Sequence, residues 1–191
     1  MHIKKYLVHA LYNKTKTLMK KTTLTFLFTL IFGSVCVAQI NTETVKTLDL
    51  KRYLGKWYEI ARFDHSFEKG IVGATAMYTL KKDGTIKVVN SGFKPDFAGK
   101  FKESVGKAKM PDPNEPGKLK VSFFLWFYAD YYVLELDEIN YSYALIGSKS
   151  DKYLWILSRD KDLPKTTIDF LLGKAKERGY DTSKLIWVKH R

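Results

Sequence analysis

The sequence predicts an all-β fold: an eight-stranded antiparallel up-and-down β-barrel with one C-terminal α-helix packed on its wall. Three observations predict it. Strand-like runs recur at intervals of about a dozen residues from Trp57 onward. The links between them are short turns, which suit antiparallel neighbours. The apolar period changes once, to that of a helix, after Pro164. Eight strands of this kind can close into a barrel, and closure removes every sheet edge.

The expected strands cover residues 57–65, 72–80, 85–94, 98–110, 118–126, 129–137, 141–149 and 153–159. Between them lie turn signals: Lys82-Asp83-Gly84, Lys94-Pro95-Asp96, Pro111 to Gly117, Glu138-Ile139-Asn140 and Ser150-Asp151. Alternation is clearest in the fifth run, where Leu119, Val121 and Phe123 take one face and Lys and Ser the other. After Pro164, Ile168, Leu171, Leu172 and Ala175 fall on one helical face. Pro164 suits the first turn and Gly179 the stop. Lys174, Lys176 and Arg178 favour the negative end of the helix. A last strand is expected over 184–189, and no repeat or linker divides the region.

Composition bounds the rest. A chain of 191 residues, 45% hydrophobic and 28% charged, fits one ordinary domain with a real core. The net charge is +13, and residues 1–38 contribute six lysines to it and no acid. What remains is less basic than a dedicated nucleic-acid binder. The single Cys excludes an intrachain disulfide and a Cys-based zinc cluster, and four scattered His leave little room for a metal site.

Residues 1–38 read as an address. Met19-Lys20-Lys21 opens a positive stretch, Leu24 to Phe32 is apolar, and Cys36-Val37-Ala38 supplies a small-residue exit. That is the pattern of a secretory signal peptide. It is shorter and more polar than the roughly 20 apolar residues of a membrane span. Met19 is the expected start, with residues 1–18 an upstream extension. Cleavage after Ala38 makes residues 39–191 the mature domain. Cys36 has a second reading, as a lipidation site, but Val35 before it fits that pattern poorly. The soluble exported form is therefore favoured over the lipid-anchored one.

Catalytic patterns are missing from the sequence: there is no G-x-S-x-G, P-loop, G-x-G-x-x-G or H-E-x-x-H. Beyond residue 38 the only His are His65 and His190, neither beside a triad pattern. Asp160, Asp162 and Asp169 read as capping or solvated groups. A barrel of this kind is expected to be a container and not an enzyme, without cofactor or metal.

Three separated motifs then stand together: Gly55-Lys56-Trp57 opening the first strand, Ala129-Asp130-Tyr131 opening the sixth, and Arg159 ending the eighth. They resemble the G-x-W, T-D-Y and lone-Arg regions of the lipocalins, with Ala129 in place of Thr. Residues 53–63, 120–124 and 153–159 are similar to the bacterial outer-membrane lipocalins in particular. The resemblance implies that Arg159 covers the Trp57 indole at the closed barrel end, with Gly55 allowing close approach. Gly55, Trp57 and Arg159 are thus expected to be structural.

Strand parity from Trp57 gives the expected cavity wall. Glu59, Ala61 and Phe63 follow it inward, with Ala74, Ala76, Tyr78 and Leu80 on the second strand. Ile86, Val88 and Asn90 follow on the third, and Leu119, Val121 and Phe123 on the fifth. Tyr153, Trp155 and Leu157 share the face of Arg159. In the sixth strand the motif favours Tyr131, Val133 and Glu135 inward, hydrophobicity favours Tyr132, Leu134 and Leu136, and a bulge would reconcile them. The candidate ligand site is Phe63, Ala76, Tyr78, Val88, Asn90, Val121, Phe123, Tyr131, Tyr153 and Trp155. Small residues leave room and aromatic ones surround it, so the expected ligand is an amphiphile, a fatty acid or a lysophospholipid. The resemblance implies lipid binding, storage or transport in maintenance of the bacterial envelope, in the periplasm or at the outer membrane. Rival readings are an enzyme acting on a lipophilic substrate and a surface module for anionic headgroups. The oligomeric state is left open, a homodimer included.

Overall fold

The computed structural model describes residues 39–191. The expected signal peptide, the start at Met19 and Cys36 lie outside the described residues. A single turn of helix, α1 (Leu50–Tyr53), leads into β1 (Gly55–Phe63). There follow β2 (Val72–Leu80), β3 (Ile86–Lys94), β4 (Lys100–Lys109), β5 (Lys118–Phe124), β6 (Phe127–Leu136), β7 (Tyr143–Gly147) and β8 (Leu154–Ser158). Helix α2 (Lys165–Glu177), a 3₁₀ turn and the short β9 (Leu185–Trp187) end the chain.

All neighbouring strands are antiparallel, and β1 closes the sheet by pairing with both β2 and β8. The eight-stranded barrel with its C-terminal helix is the predicted architecture. Strand β1 is shared between partners: Gly55–Tyr58 pairs with β2, whereas Ala61–Phe63 pairs with β9. The tail after β9 bonds to both sides of that gap, Val188 N to Ile60 O and Gly73 N to Lys189 O.

Two apolar layers result. Trp57, Tyr78, Val88, Leu119, Val133 and Leu157 fill the barrel interior. Ile60, Phe63, Leu134, Ile156, Leu171 and Tyr180 form a second cluster between the outer wall and α2. Leu171 and Ala175 are the buried residues of the predicted helical face. Gly179 ends the helix at φ +92°, with Gly179 N bonded to Lys176 O and Tyr180 N to Ala175 O. That pair of bonds is the Schellman stop, which calls for a residue without a Cβ.

Two bulges decide which residues face inward. One lies in β1 between Glu59 and Ala61. Trp57 and Glu59 point into the barrel, but beyond the bulge Arg62 takes the inner side and Ala61 and Phe63 join the outer cluster. The other lies in β6 between Val133 and Glu135. Tyr131 and Val133 face inward, Tyr132 and Leu134 outward, and Leu136 inward again. Both expected faces of the sixth strand are therefore used, on either side of the bulge.

Candidate functional site: an ionic cavity above an aromatic floor

The closed end of the barrel is built around Trp57. Its indole is fully buried and donates to Tyr53 O at 2.8 Å. The Arg159 guanidinium lies 3.8 Å from the centre of the Trp57 ring. Each donor group of Arg159 finds a carbonyl: Nε bonds Tyr141 O, Nη1 bonds Lys56 O, and Nη2 bonds Arg52, Tyr53 and Leu54 O. The last three are carbonyls at the end of α1, where a helix leaves acceptors unsatisfied. Gly55 sits at φ +93°, and a Cβ there would lie 3.5 Å from Arg159 Nη1. Gly55, Trp57 and Arg159 thus occupy one plug.

Above the plug is an aromatic floor. The hydroxyls of Tyr53 and Tyr131 are 2.6 Å apart, and those of Tyr131 and Tyr78 are 3.0 Å apart. Burial pushes all three phenols up, so they stay protonated and share protons as neutral hydrogen bonds. Ala76, Val88, Val121 and Trp155 pack in the same inner cluster.

The cavity proper lies higher, with a volume of about 230 Å³. Glu59, Glu68, Ala74, Asn90, Ser104, Lys94 and Lys102 line it. Of the ten predicted site residues, Asn90 borders this space, while Ala76, Tyr78, Val88, Val121, Tyr131 and Trp155 lie in the packed interior. Phe123 is half-exposed, its ring 2.7 Å from where a Gly106 Cβ would stand. Tyr153 is exposed on the rim, its ring 4.7 Å from that of His65. Phe63 corrects the prediction outright. It faces the outer cluster, 6.2 Å from the Tyr180 ring, because the β1 bulge shifts parity after Glu59.

Sequence reasoning missed the group that dominates the cavity. Arg62 is only 2% exposed and donates from Nη1 to Glu59 Oε1 at 2.6 Å. Its Nη2 holds the β1–β2 loop by bonds to Glu68 O and Ile71 O. Glu68 comes down from that loop and accepts from Trp155 Nε1 at 3.2 Å. One buried cation thus faces two carboxyl groups, the buried Glu59 at 2.6 Å and the partly buried Glu68 at 4.0 Å. Burial and the charge of Glu68 push the Glu59 carboxyl up to about 8, against the opposing pull of Arg62. Burial also raises Glu68. His65 is held below its usual value by burial and by Arg62. The side chain of Asn90 adds a buried acceptor, Oδ1, without a protein partner. Glu59 was legible as inward from strand parity. Arg62 required the bulge, and Glu68 required the loop fold.

Among the described residues no group of three His, Cys, Asp or Glu side chains could hold a metal ion. The arrangement can bind: it offers acceptors at the cavity wall, lysines at the mouth and aromatic surface below.

Comparison with known proteins agrees with this architecture. Residues 48–190 match the family model of the lipocalin-like domain. The chain is 44% identical over 151 residues to the outer membrane lipoprotein Blc of Vibrio cholerae, covering 79% of this chain and 88% of that protein. Identity to the Escherichia coli K12 protein of the same name is 46%, covering 78% and 83%. Temperature-induced lipocalin-1 of Arabidopsis thaliana is 43% identical, covering 75% and 80%. Among solved structures, insecticyanin of the tobacco hornworm Manduca sexta superposes with a TM-score of 0.63 at 24% identity, covering 79% and 85%. The barrel closed through β1, the Arg159–Trp57 plug and these matches together establish that the chain belongs to the lipocalin family.

Proposed function

We propose that this lipocalin binds and carries a single-chain phospholipid, with a fatty acid as the weaker-fitting ligand, in maintenance of the bacterial envelope. Lipocalins bind small lipophilic molecules, and the cavity is what narrows the class. A fatty acid would bring a carboxylate against Glu59 and Glu68, two groups already competing for one arginine. A lysophospholipid with an ammonium headgroup offers donors to Glu59, Glu68 and Asn90, and its phosphate meets Lys94 and Lys102. The single observation that carries this reading is that acceptor-rich wall beside a lysine mouth.

The cavity is smaller than the roughly 300–1,000 Å³ usual for ligand pockets. A long acyl chain therefore needs the space now held by the β1–β2 loop. Entry would displace Glu68, break its bond to Trp155 Nε1 and lay the chain against the aromatic floor. Each buried methylene then contributes about 0.8 kcal/mol, of which ordering removes part. Export by residues 19–38, a mature domain from Gln39 and action as a binding protein without catalysis or cofactor complete the proposal. The soluble form remains the preferred reading from Val35, while the relatives' name of outer membrane lipoprotein supports the envelope as the compartment.

The test is titration with lysophosphatidylethanolamine and with a fatty acid, read by Trp155 emission. The expected result is tighter binding of the lysophospholipid and loss of most of the signal in Trp155→Phe. Ala74→Trp, which fills the cavity wall, should block uptake while circular dichroism shows the barrel intact. Equal affinity of a folded Ala74→Trp variant and the parent would place the ligand elsewhere. Affinity that falls steeply with salt would favour surface binding of anionic headgroups.

A further inference from the structure

The open end of the barrel carries an apolar surface that the ligand cavity does not use. In an up-and-down barrel the β1–β2, β3–β4, β5–β6 and β7–β8 connections share one end, opposite the Trp57 plug. The β5–β6 hairpin projects there. Phe124 is 67% exposed, Trp126 71% and Phe127 65%, with Leu125 between them. Phe67, in the β1–β2 connection, is exposed at the same mouth, where it also lines the cavity. Isolated exposed apolar residues are ordinary, but a contiguous run with a tryptophan at its tip marks an interaction surface.

The backbone of the tip strengthens the point. Phe124 pairs with Phe127, so Leu125 and Trp126 form a two-residue turn. Leu125 sits at φ +50°, in the left-handed region. Glycine or asparagine is the usual choice at such a turn position. A leucine there costs backbone strain and, being exposed, contributes no core packing in return. The fold alone does not explain this turn.

Charge selects the partner. Lys94 and Lys100 are register partners on β3 and β4, and Lys102 stands opposite Gly92 at the cavity mouth. Lys69, Lys149 and Lys152 lie in the β1–β2 and β7–β8 connections. None of these six forms an ion pair among the described residues. They outnumber the exposed acids of that end outside ion pairs, Asp64, Asp96, Glu103 and Asp151; Asp181, just before β9, is paired with Lys184. Aromatic side chains sit well at the bilayer interface, and lysines around them are drawn to anionic headgroups.

We infer that the Phe124–Phe127 hairpin inserts into an anionic phospholipid bilayer, docking the barrel mouth-down on the membrane. The inference is independent of which lipid the cavity takes. Insertion also sets the cavity mouth against the surface from which a lipid would be drawn.

The test is co-sedimentation of the full chain with vesicles of phosphatidylcholine alone and of phosphatidylcholine mixed with phosphatidylglycerol. The docked chain should prefer the mixed vesicles, and brominated acyl chains should quench its tryptophan emission. Trp126→Phe should retain binding and lose most of that quenching. Phe124→Ser combined with Phe127→Ser should weaken partitioning by about tenfold or more, since their rings leave the interface. Lys94→Gln with Lys102→Gln should cut the preference for anionic vesicles roughly 30-fold. All these side chains are exposed, and circular dichroism should show every variant folded. Unchanged partitioning of the double serine variant would overturn the inference. So would quenching as strong in Trp126→Phe as in the parent. A vesicle-free dimer dissociated by the double serine change would overturn it too, making the hairpin a contact between two copies of this chain.

Discussion

Replacing Arg159 by alanine tests the plug in a single step. The change removes a guanidinium seated 3.8 Å over the buried Trp57 ring, which is worth ~1–2 kcal/mol in a desolvated setting. It also removes five hydrogen bonds to carbonyls. Those to Arg52 O and Lys56 O are exposed, and water replaces them at little cost. Those to Tyr141, Tyr53 and Leu54 O are partly buried, and each contributes ~1 kcal/mol net. Tyr53 O keeps its bond from Trp57 Nε1, which softens the loss there. The expected destabilisation is ~3–5 kcal/mol, a fall of roughly 10 °C in Tm for a domain of this size. Urea unfolding followed by circular dichroism and tryptophan emission measures it. Arg159→Lys should fall between the two, since lysine keeps the cation but not the planar fork of donors. Ligand preference should not change, because Arg159 lies beneath the aromatic floor. A loss below about 1 kcal/mol in the alanine variant, or a lysine variant as stable as the parent, would refute the account of the plug.

Further outcomes follow from other features. Gly55→Ala should lose ~1–3 kcal/mol in the same assay, because φ +93° strains any residue with a Cβ. Phe63→Ala should cost ~3–5 kcal/mol by emptying the outer cluster, yet leave ligand affinity unchanged; a large affinity loss in a folded variant would restore Phe63 to the cavity wall. Glu59 carries a pH signature. Its carboxyl titrates near 4.5 when unfolded and about 8 when folded, so the native state holds the extra proton. Its stabilising contribution is full below 4.5 and is lost as pH rises through about 8. The parent should therefore lose stability between those limits, and Glu59→Gln should flatten the profile in thermal unfolding.

The plug could be read from the sequence because its parts are chemically distinctive: a glycine before a strand tryptophan, and one arginine closing the last barrel strand. The helix could be read for a similar reason, since Leu171 and Ala175 repeat at its period and Gly179 supplies the left-handed stop. Strand parity carried the inward face correctly only as far as the first bulge. The extra residue at Ile60 exchanges Phe63 for Arg62, and no local residue type announces it. Glu68 comes to the cavity through a loop whose course depends on Arg62, a contact that periodicity does not encode. The β5–β6 turn was hidden in another way. Leu125 and Trp126 carry none of the glycine, asparagine or proline signals of a turn, so the fifth strand is expected to run on to Trp126.

The divided pairing of β1 also sets the order in which the barrel is sewn. Strands β2 to β8 can form as successive local hairpins, but Arg159 must meet the carbonyls of α1 across more than 100 positions of chain. Such long-range closure is slow, so the β1–β8 seam is expected to knit last. The upper half of β1 is finished by β9 and the tail that bonds Ile60 and Gly73. A chain cut before Leu185 leaves Ala61–Phe63 with free backbone groups on that side, an open strand edge ready to recruit another molecule. The final residues therefore act as a selvedge, and their loss should appear first as aggregation on refolding.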